Sequence, residues 1–281
     1  MKKLGFIGAG NMAEALARGL VENKVFKASE LIASDVDAAR RRKFKRTLNI
    51  EVTTDNLEVL TASRAVLFAV KPQTIDAVLT ELAPAGGDSG GAPGKSRLVS
   101  RLFVSIAAGV TLDRLESALG GRARVIRVMP NAPAMVGQGM AALVCGRHAN
   151  RADEAFALKI FRAVGDAVAL KDEALLDAVT ALSGSGPAYV YLFAKSLADA
   201  AASQGLPPNL ALRMALQTIR GAEENMRRSP MAAGELIRIV ASPGGTTEAA
   251  LKQLGADGFS DIVARAIQAA AERSRELGRV S

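Results

Sequence analysis

The chain has 281 residues, 49% hydrophobic and 23% charged, which is enough to bury a core and to fill two domains. Its single cysteine, Cys145, and single histidine, His148, leave no internal disulfide and no cysteine- or histidine-cluster metal site, and this cysteine usage suits a reducing cytoplasm. The formal charge of +8 raises nucleic acid as a partner, but aromatics are only 4% and tryptophan is absent, so no stacking platform accompanies the charge.

Met1-Lys2-Lys3 runs straight into LGFIGAG, with glycines where a secretory leader would be apolar. No apolar run approaches the ~18 residues that read as a membrane span, so membrane entry is not expected. Leu4 to Ile7 reads as a strand, and Gly8-Ala9-Gly10-Asn11-Met12-Ala13 follows it at the opening of a helix over Glu14 to Val21. Gly8 permits the tight turn, Gly10 lets a pyrophosphate approach the backbone, and Ala13 keeps helix and strand close. Such a motif alone is a weak signal, but between the first strand and first helix it reads as a dinucleotide fingerprint rather than a plain glycine-rich turn.

A second strand, ELIASD, ends at Ser34 and Asp35, where the adenosine ribose is read. Asp35 would accept both ribose hydroxyls of NAD and repel a 2'-phosphate. Ser34 with Arg40, Arg41 and Arg42 would suit NADP if the loop turned Asp35 outward, and the sequence leaves both open. The basic run AARRRKFKR is either a solvated helix face or the neighbour of that phosphate.

The strand RAVLFAV leads into Lys71-Pro72, where Lys71 is an acid, a phosphate partner or merely a strand-end lysine. Pro84 to Arg97 is low-complexity and reads as a surface loop within the first domain. Ser105 to Gly109 then closes RLFVSIAAG with small residues at the carboxyl edge of the sheet, where open α/β folds bind ligands. Met129 to Gly139, between RVIRVMP and GMAALVCG, carries two prolines and two glycines and suggests a shaped wall. His148 follows in a polar, turn-like stretch and reads as a surface residue, the alternative being a catalytic histidine. Apolar strands alternating with helices over residues 1–170 imply a doubly wound parallel sheet of Rossmann type.

After about Lys171 the strand signal ends, and alanine-rich helical segments fill 171–281: EALLDAVTAL, AYVYLFAKSLADAAASQ, NLALRMALQTIRGAEENM and DIVARAIQAAAERSREL. Alanine on several faces suits close helix packing and packing against a second copy of the chain. Two breaks interrupt this half. Ser183-Gly184-Ser185-Gly186-Pro187 costs about 1 kcal/mol per glycine and more for the proline, a cost tolerated where backbone must approach something closely. SPGGTTEAAL, Ser242 to Leu251, makes a sharp turn and restarts a helix whose first amides are free, which is an anion site.

In order and spacing, GFIGAGNMAEAL, AVKPQ, SIAAGV, IRVMPNAPAMVGQGM, DAVTALSGSGPAYVYLF and VASPGGTTEAAL resemble pyrroline-5-carboxylate reductase over nearly the whole chain. The resemblance implies reduction of the cyclic imine 1-pyrroline-5-carboxylate to L-proline by hydride from NADPH, NADH being the alternative coenzyme. It implies a Rossmann domain and a helical domain that interlocks with a second subunit, in a homodimer or a decamer of dimers. It assigns cofactor contact to Ile7, Gly8, Ala9, Gly10, Asn11, Met12, Ser34, Asn56, Ala69, Val70, Lys71, Pro72 and Ala108. Substrate contact falls to Glu173, Thr246 and Thr247, with Thr247 beside the ring nitrogen as the catalytic residue, and no metal is implied. The residues themselves add Gly244 and Gly245, since the Gly244 to Thr247 turn at a helix start offers backbone donors to the substrate carboxylate. For Thr246 and Thr247 the alternative is helix capping alone, and for Glu173 an exposed helix start. The chain departs from the family in Ala232-Ala233, where His-Pro is usual, in Ala132 in place of threonine, and in a longer Pro84 to Arg97 loop. Two rival readings are a reductase of a related cyclic imine or small hydroxyacid on the same plan, and a non-catalytic dinucleotide-binding protein.

Overall fold

A computed structural model describes residues 1–83, 101–120 and 122–280, apart from the side chains of residues 279 and 280. The Pro84 to Arg97 loop lies outside the described residues. Six strands, β1 (Lys2–Ile7), β2 (Leu31–Ser34), β3 (Glu51–Thr53), β4 (Ser63–Phe68), β5 (Leu102–Ser105) and β6 (Arg124–Pro130), pair in parallel in the order β3-β2-β1-β4-β5-β6. Ile7 lies opposite both Ser34 and Phe68, and Phe68 opposite Ser105. The residues that follow these four therefore leave one carboxyl edge together, and the order reverses between β1 and β4, the place where such sheets bind dinucleotides.

The expected parallel sheet needs one correction. β7 (Gly139–Cys145) runs antiparallel to β6, and β8 (Gly165–Leu170) runs parallel to β7. The reason is length: a parallel crossover needs roughly a dozen residues or more, and the tight segment from Asn131 to Gln138 reverses the chain instead. Between β7 and β8 the connection carries a helix, Arg151–Phe161, and a parallel crossover returns.

Alternation along the strands splits the core into two layers. Leu4 and Phe6 point to one face, packed with Leu16 and Leu20 of α1 (Asn11–Glu22), Phe44 of α2 (Ala38–Leu48) and Ile160 of α6 (Arg151–Phe161). Ile7, Phe68 and Phe103 point to the other, packed with Val59 of α3 (Asn56–Ala62), Ile75 of α4 (Ile75–Leu82) and Leu115 of α5 (Leu112–Ala118). Buried strands that read as continuous apolar runs are thus explained by a sheet covered on both sides.

Two compact units divide the chain. Met1–Gly184 with Ala270–Ser281 form the first, and Ser185–Ala269 the second. The end of α12 (Phe259–Val280) therefore belongs with the sheet, where Ser274 Oγ donates to Asp177 Oδ1 of α7 (Leu175–Val179) at 2.6 Å. In the second unit α8 (Gly186–Ser203) and α9 (Pro208–Arg228) form a hairpin closed on Ala198, Ala211 and Ala215. Methyl-sized contacts let two helix backbones come close but bury little area. Large side chains such as Tyr191, Leu192, Met214 and Leu216 stay more than half exposed, an apolar surface of the kind that marks an interface. The short helices α10 (Ala233–Val240) and α11 (Thr246–Ala256) follow.

Candidate active site

The turn after β1 is built as the fingerprint requires. Gly8 has φ +99°, and a Cβ there would lie 2.8 Å from the Ala69 carbonyl carbon, so only glycine fits. At Gly10 a Cβ would meet nothing within 4 Å: this is the open side of the turn, where a phosphate can approach. Gly10 caps α1 without any side-chain hydrogen bond, which leaves the first amides of the helix available to an anion. One turn on, Glu14 is nearly buried; burial opposes its charge, yet hydrogen bonds from Lys43 and Arg18 outweigh that and hold its pKa below the usual carboxylate value.

A cleft of about 770 Å³ opens over this edge. On the β2 side it is lined by Ser34, Asp35, Arg40 and Asn56, and above the turn by Ile7, Gly8, Gly10, Asn11 and Met12. On the β4 to β6 side it is lined by Ala69, Val70, Lys71, Ala108, Met129 and Pro130. Of the expected cofactor residues Ala9 and Pro72 alone are missing from the lining; Ala9 is buried, and its amide donates to Asp35 Oδ2 at 2.8 Å. Because the adenosine ribose is read at the end of β2, the nicotinamide half belongs to the β4 to β6 side.

The β2 end does not turn Asp35 outward, the arrangement under which Ser34 and the arginines would suit NADP. Its carboxylate is turned inward, accepting the Ala9 amide and, at 2.9 Å, the Asp37 amide. Arg40 faces it at 3.5 Å and Asp37 at 3.7 Å, distances longer than charge-assisted bonds usually show. Ser34 Oγ donates to Asn56 Oδ1 at 2.6 Å, and Asn56 Nδ2 donates to Glu81 at 2.7 Å. Of the basic run, only Arg40 lines the cleft; Arg42, Lys43, Lys45 and Arg46 border a separate concavity on α2.

Glu173 is tied into the first unit. Its Oε1 accepts the Leu112 amide at the start of α5 at 2.8 Å and Arg127 of β6 at 2.6 Å. His148 is exposed in a turn. Cys145 sits half-buried at the end of β7; burial first, and the Glu154 carboxylate next, push its thiol up to about 11. Among the described residues no group of three or more His, Cys, Asp or Glu side chains could hold a metal ion, and no helix is long and apolar enough to cross a membrane.

In the second unit SPGGTT forms a bend and a helix start. Gly244 adopts φ +71°, and a Cβ on Gly245 would lie 2.5 Å from Ser242 Oγ. The Gly244 amide donates to Glu248 Oε2 at 2.6 Å and the Gly245 amide to the Ser242 carbonyl at 3.0 Å. No side chain caps α11, so the first-turn amides of Thr246, Thr247 and Glu248 have no intrahelical partner. Of the four residues expected to donate, Gly244 and Gly245 thus spend their amides within the bend.

Thr74 and Glu81 also line the cleft without any sequence signal marking them, and Ile106, Met129 and Pro130 line it from the two small-residue and turn-rich stretches that follow β5 and end β6.

Comparison with known proteins agrees with this geometry. The family described as pyrroline-5-carboxylate reductase dimerisation matches residues 173–277, and that described as NADP oxidoreductase coenzyme F420-dependent matches residues 3–90. Pyrroline-5-carboxylate reductase of Pseudomonas aeruginosa is 42% identical over 275 residues, 98% of this chain and 96% of that protein. The structure of a pyrroline-5-carboxylate reductase from Coxiella burnetii superposes with a TM-score of 0.88 at 32% identity, covering 98% of each chain. That of Plasmodium falciparum pyrroline carboxylate reductase with NADP bound gives 0.84 at 32% identity, over 99% of this chain and 98% of the other. The chain belongs to the pyrroline-5-carboxylate reductase family, oxidoreductases that reduce 1-pyrroline-5-carboxylate to L-proline with NAD(P)H.

Proposed function

We propose that this chain binds NADPH in the β1-centred cleft and holds the carboxylate of 1-pyrroline-5-carboxylate on the first turn of α11. The observation that carries the reading is the uncapped start of α11 behind a glycine-specific bend. Helix dipole and free amides together favour a small anion there by about 0.3–2 kcal/mol besides the hydrogen bonds. A cyclic imine accepts hydride well when protonated, so hydride adds to the ring carbon of the C=N bond and the proton remains on nitrogen. The task is to hold that carbon about 3–3.5 Å from the nicotinamide.

Thr247 orients the ring nitrogen with its hydroxyl; a hydroxyl is a weak acid, so a water relays the proton. Glu173 is assigned to the substrate on family grounds, with its carboxylate shared between Arg127 and the start of α5. NADPH is favoured over NADH because Asp35 is spent on two amides and Arg40 is left at the cleft. Residues 1–170 act as the cofactor domain and 171–281 as the substrate and dimerisation domain, in a homodimer or a decamer of dimers. The working location is the cytoplasm, without nucleic acid or membrane. Purified protein oxidising NADPH with 1-pyrroline-5-carboxylate, and not with 2-keto or 3-hydroxy acids, is the expected result; no turnover, or turnover of the acids instead, would overturn it.

A further inference from the structure

The end of β6 touches two things at once. Met129 and Pro130 line the nicotinamide half of the cleft. Asn131, the next residue, turns its amide elsewhere: Nδ2 donates to the Ser183 carbonyl at 3.2 Å and to Ser183 Oγ at 3.1 Å, while Oδ1 accepts the Met140 amide at 2.8 Å. Ser183 lies in a π turn, Thr180–Gly184, the widened segment into which the SGSG break folds. Such turns are rare and concentrate at functional sites. Beside it, a Cβ on Gly184 would lie 2.5 Å from Met129 Cε, so the turn's backbone rests directly on the tip of that side chain.

We propose that Asn131 is a positioning residue for hydride transfer: it clamps the π turn onto Met129 and so fixes the wall behind the nicotinamide ring. The inference rests on the reading of the chain as an NADPH-dependent reductase. Without the clamp Met129 gains room to move away from the ring. The pyrophosphate turn and the β2 end, which supply most of the hold on NADPH, are untouched by that movement. Hydride transfer loses its geometry while cofactor affinity stays.

The test uses the full-length protein with N131D, N131A and S183A. Aspartate is isosteric and keeps the acceptor for the Met140 amide, but it removes the donor to Ser183, so it decides the matter if N131A does not fold. For N131D the expected result is kcat lower by on the order of 10²-fold, an unchanged Kd for NADPH, and a larger primary isotope effect with C4-deuterated NADPH. S183A, which keeps the carbonyl acceptor, retains most of its turnover. Wild-type kcat and isotope effect in N131D, or a loss confined to NADPH affinity, would overturn the proposal. Hydrogen exchange separates it from the functional reading: NADPH should protect amides 180–184 in the wild-type protein and not in N131D, whether or not the imine is turned over, and equal protection in both would end it.

Discussion

Replacing Arg40 with alanine should damage the use of NADPH and leave that of NADH nearly intact. The carboxylate that would read a ribose diol, Asp35, is only 6% exposed and already accepts two backbone amides. The guanidinium of Arg40 is half-exposed, at 49%, and its two acidic contacts are long, at 3.5 and 3.7 Å, so it turns toward a phosphate at little loss. A hydrogen bond to a charged group contributes about 1.5–3 kcal/mol, and exposure places Arg40 toward the lower end. At about 1.4 kcal/mol per factor of ten, R40A should raise KM for NADPH roughly 10- to 30-fold. R40E should do more, because it adds repulsion. Initial rates at saturating imine with each coenzyme varied give the comparison. Equal losses with both coenzymes, or none with NADPH, would remove Arg40 from the phosphate and return the ribose to Asp35.

Other substitutions probe the remaining parts. G245A brings a Cβ 2.5 Å from Ser242 Oγ, which can rotate away, and 3.0 Å from the Ser242 carbonyl oxygen, which is backbone, so the start of α11 must shift; KM for the imine should rise while the Kd for NADPH, measured by fluorescence titration, stays constant. T247V keeps the shape and removes the hydroxyl, so kcat should fall about 10- to 100-fold, the loss of one hydrogen bond to a charged ring nitrogen; unchanged steady-state kcat would reduce Thr247 to a helix-start residue. Cys145 should titrate near 11 by thiolate absorbance, against an ordinary 9.0. Between those pH values the folded chain keeps a proton that the unfolded chain has lost, so stability to urea should fall as pH rises through that window, and less so in C145A.

Much of the fold was legible because buried parallel strands are continuous apolar runs and the β1 turn needs particular glycines. β3 and β8 escaped notice. Glu51–Thr53 is too short to show a period, and Gly165–Leu170 alternates alanine with larger residues too weakly to stand out from the helix before it. The reversal of β7 follows from a short connection, a matter of chain length rather than composition. At the site, Ser34, Asn56 and Lys71 all line the cleft; Ser34 and Lys71 stand out as strand-end residues, whereas Asn56 comes only with the family resemblance. The orientation of Asp35 was not readable, because it depends on which backbone amides the folded turn leaves unpaired. The same holds for Gly244 and Gly245, whose amides are consumed by Glu248 and Ser242 within the bend. The Asn131 clamp joins residues far apart in the chain, and no local pattern announces it.

The bend before α11 bears most of the chemistry proposed here. A crystal structure of the protein with L-proline and NADP⁺ examines it directly: the proline carboxylate should lie within hydrogen-bond distance of the Thr246 and Thr247 amides, with the Thr247 hydroxyl facing the ring nitrogen. Proline bound with its carboxylate on other residues, and those two amides left to solvent, would contradict it.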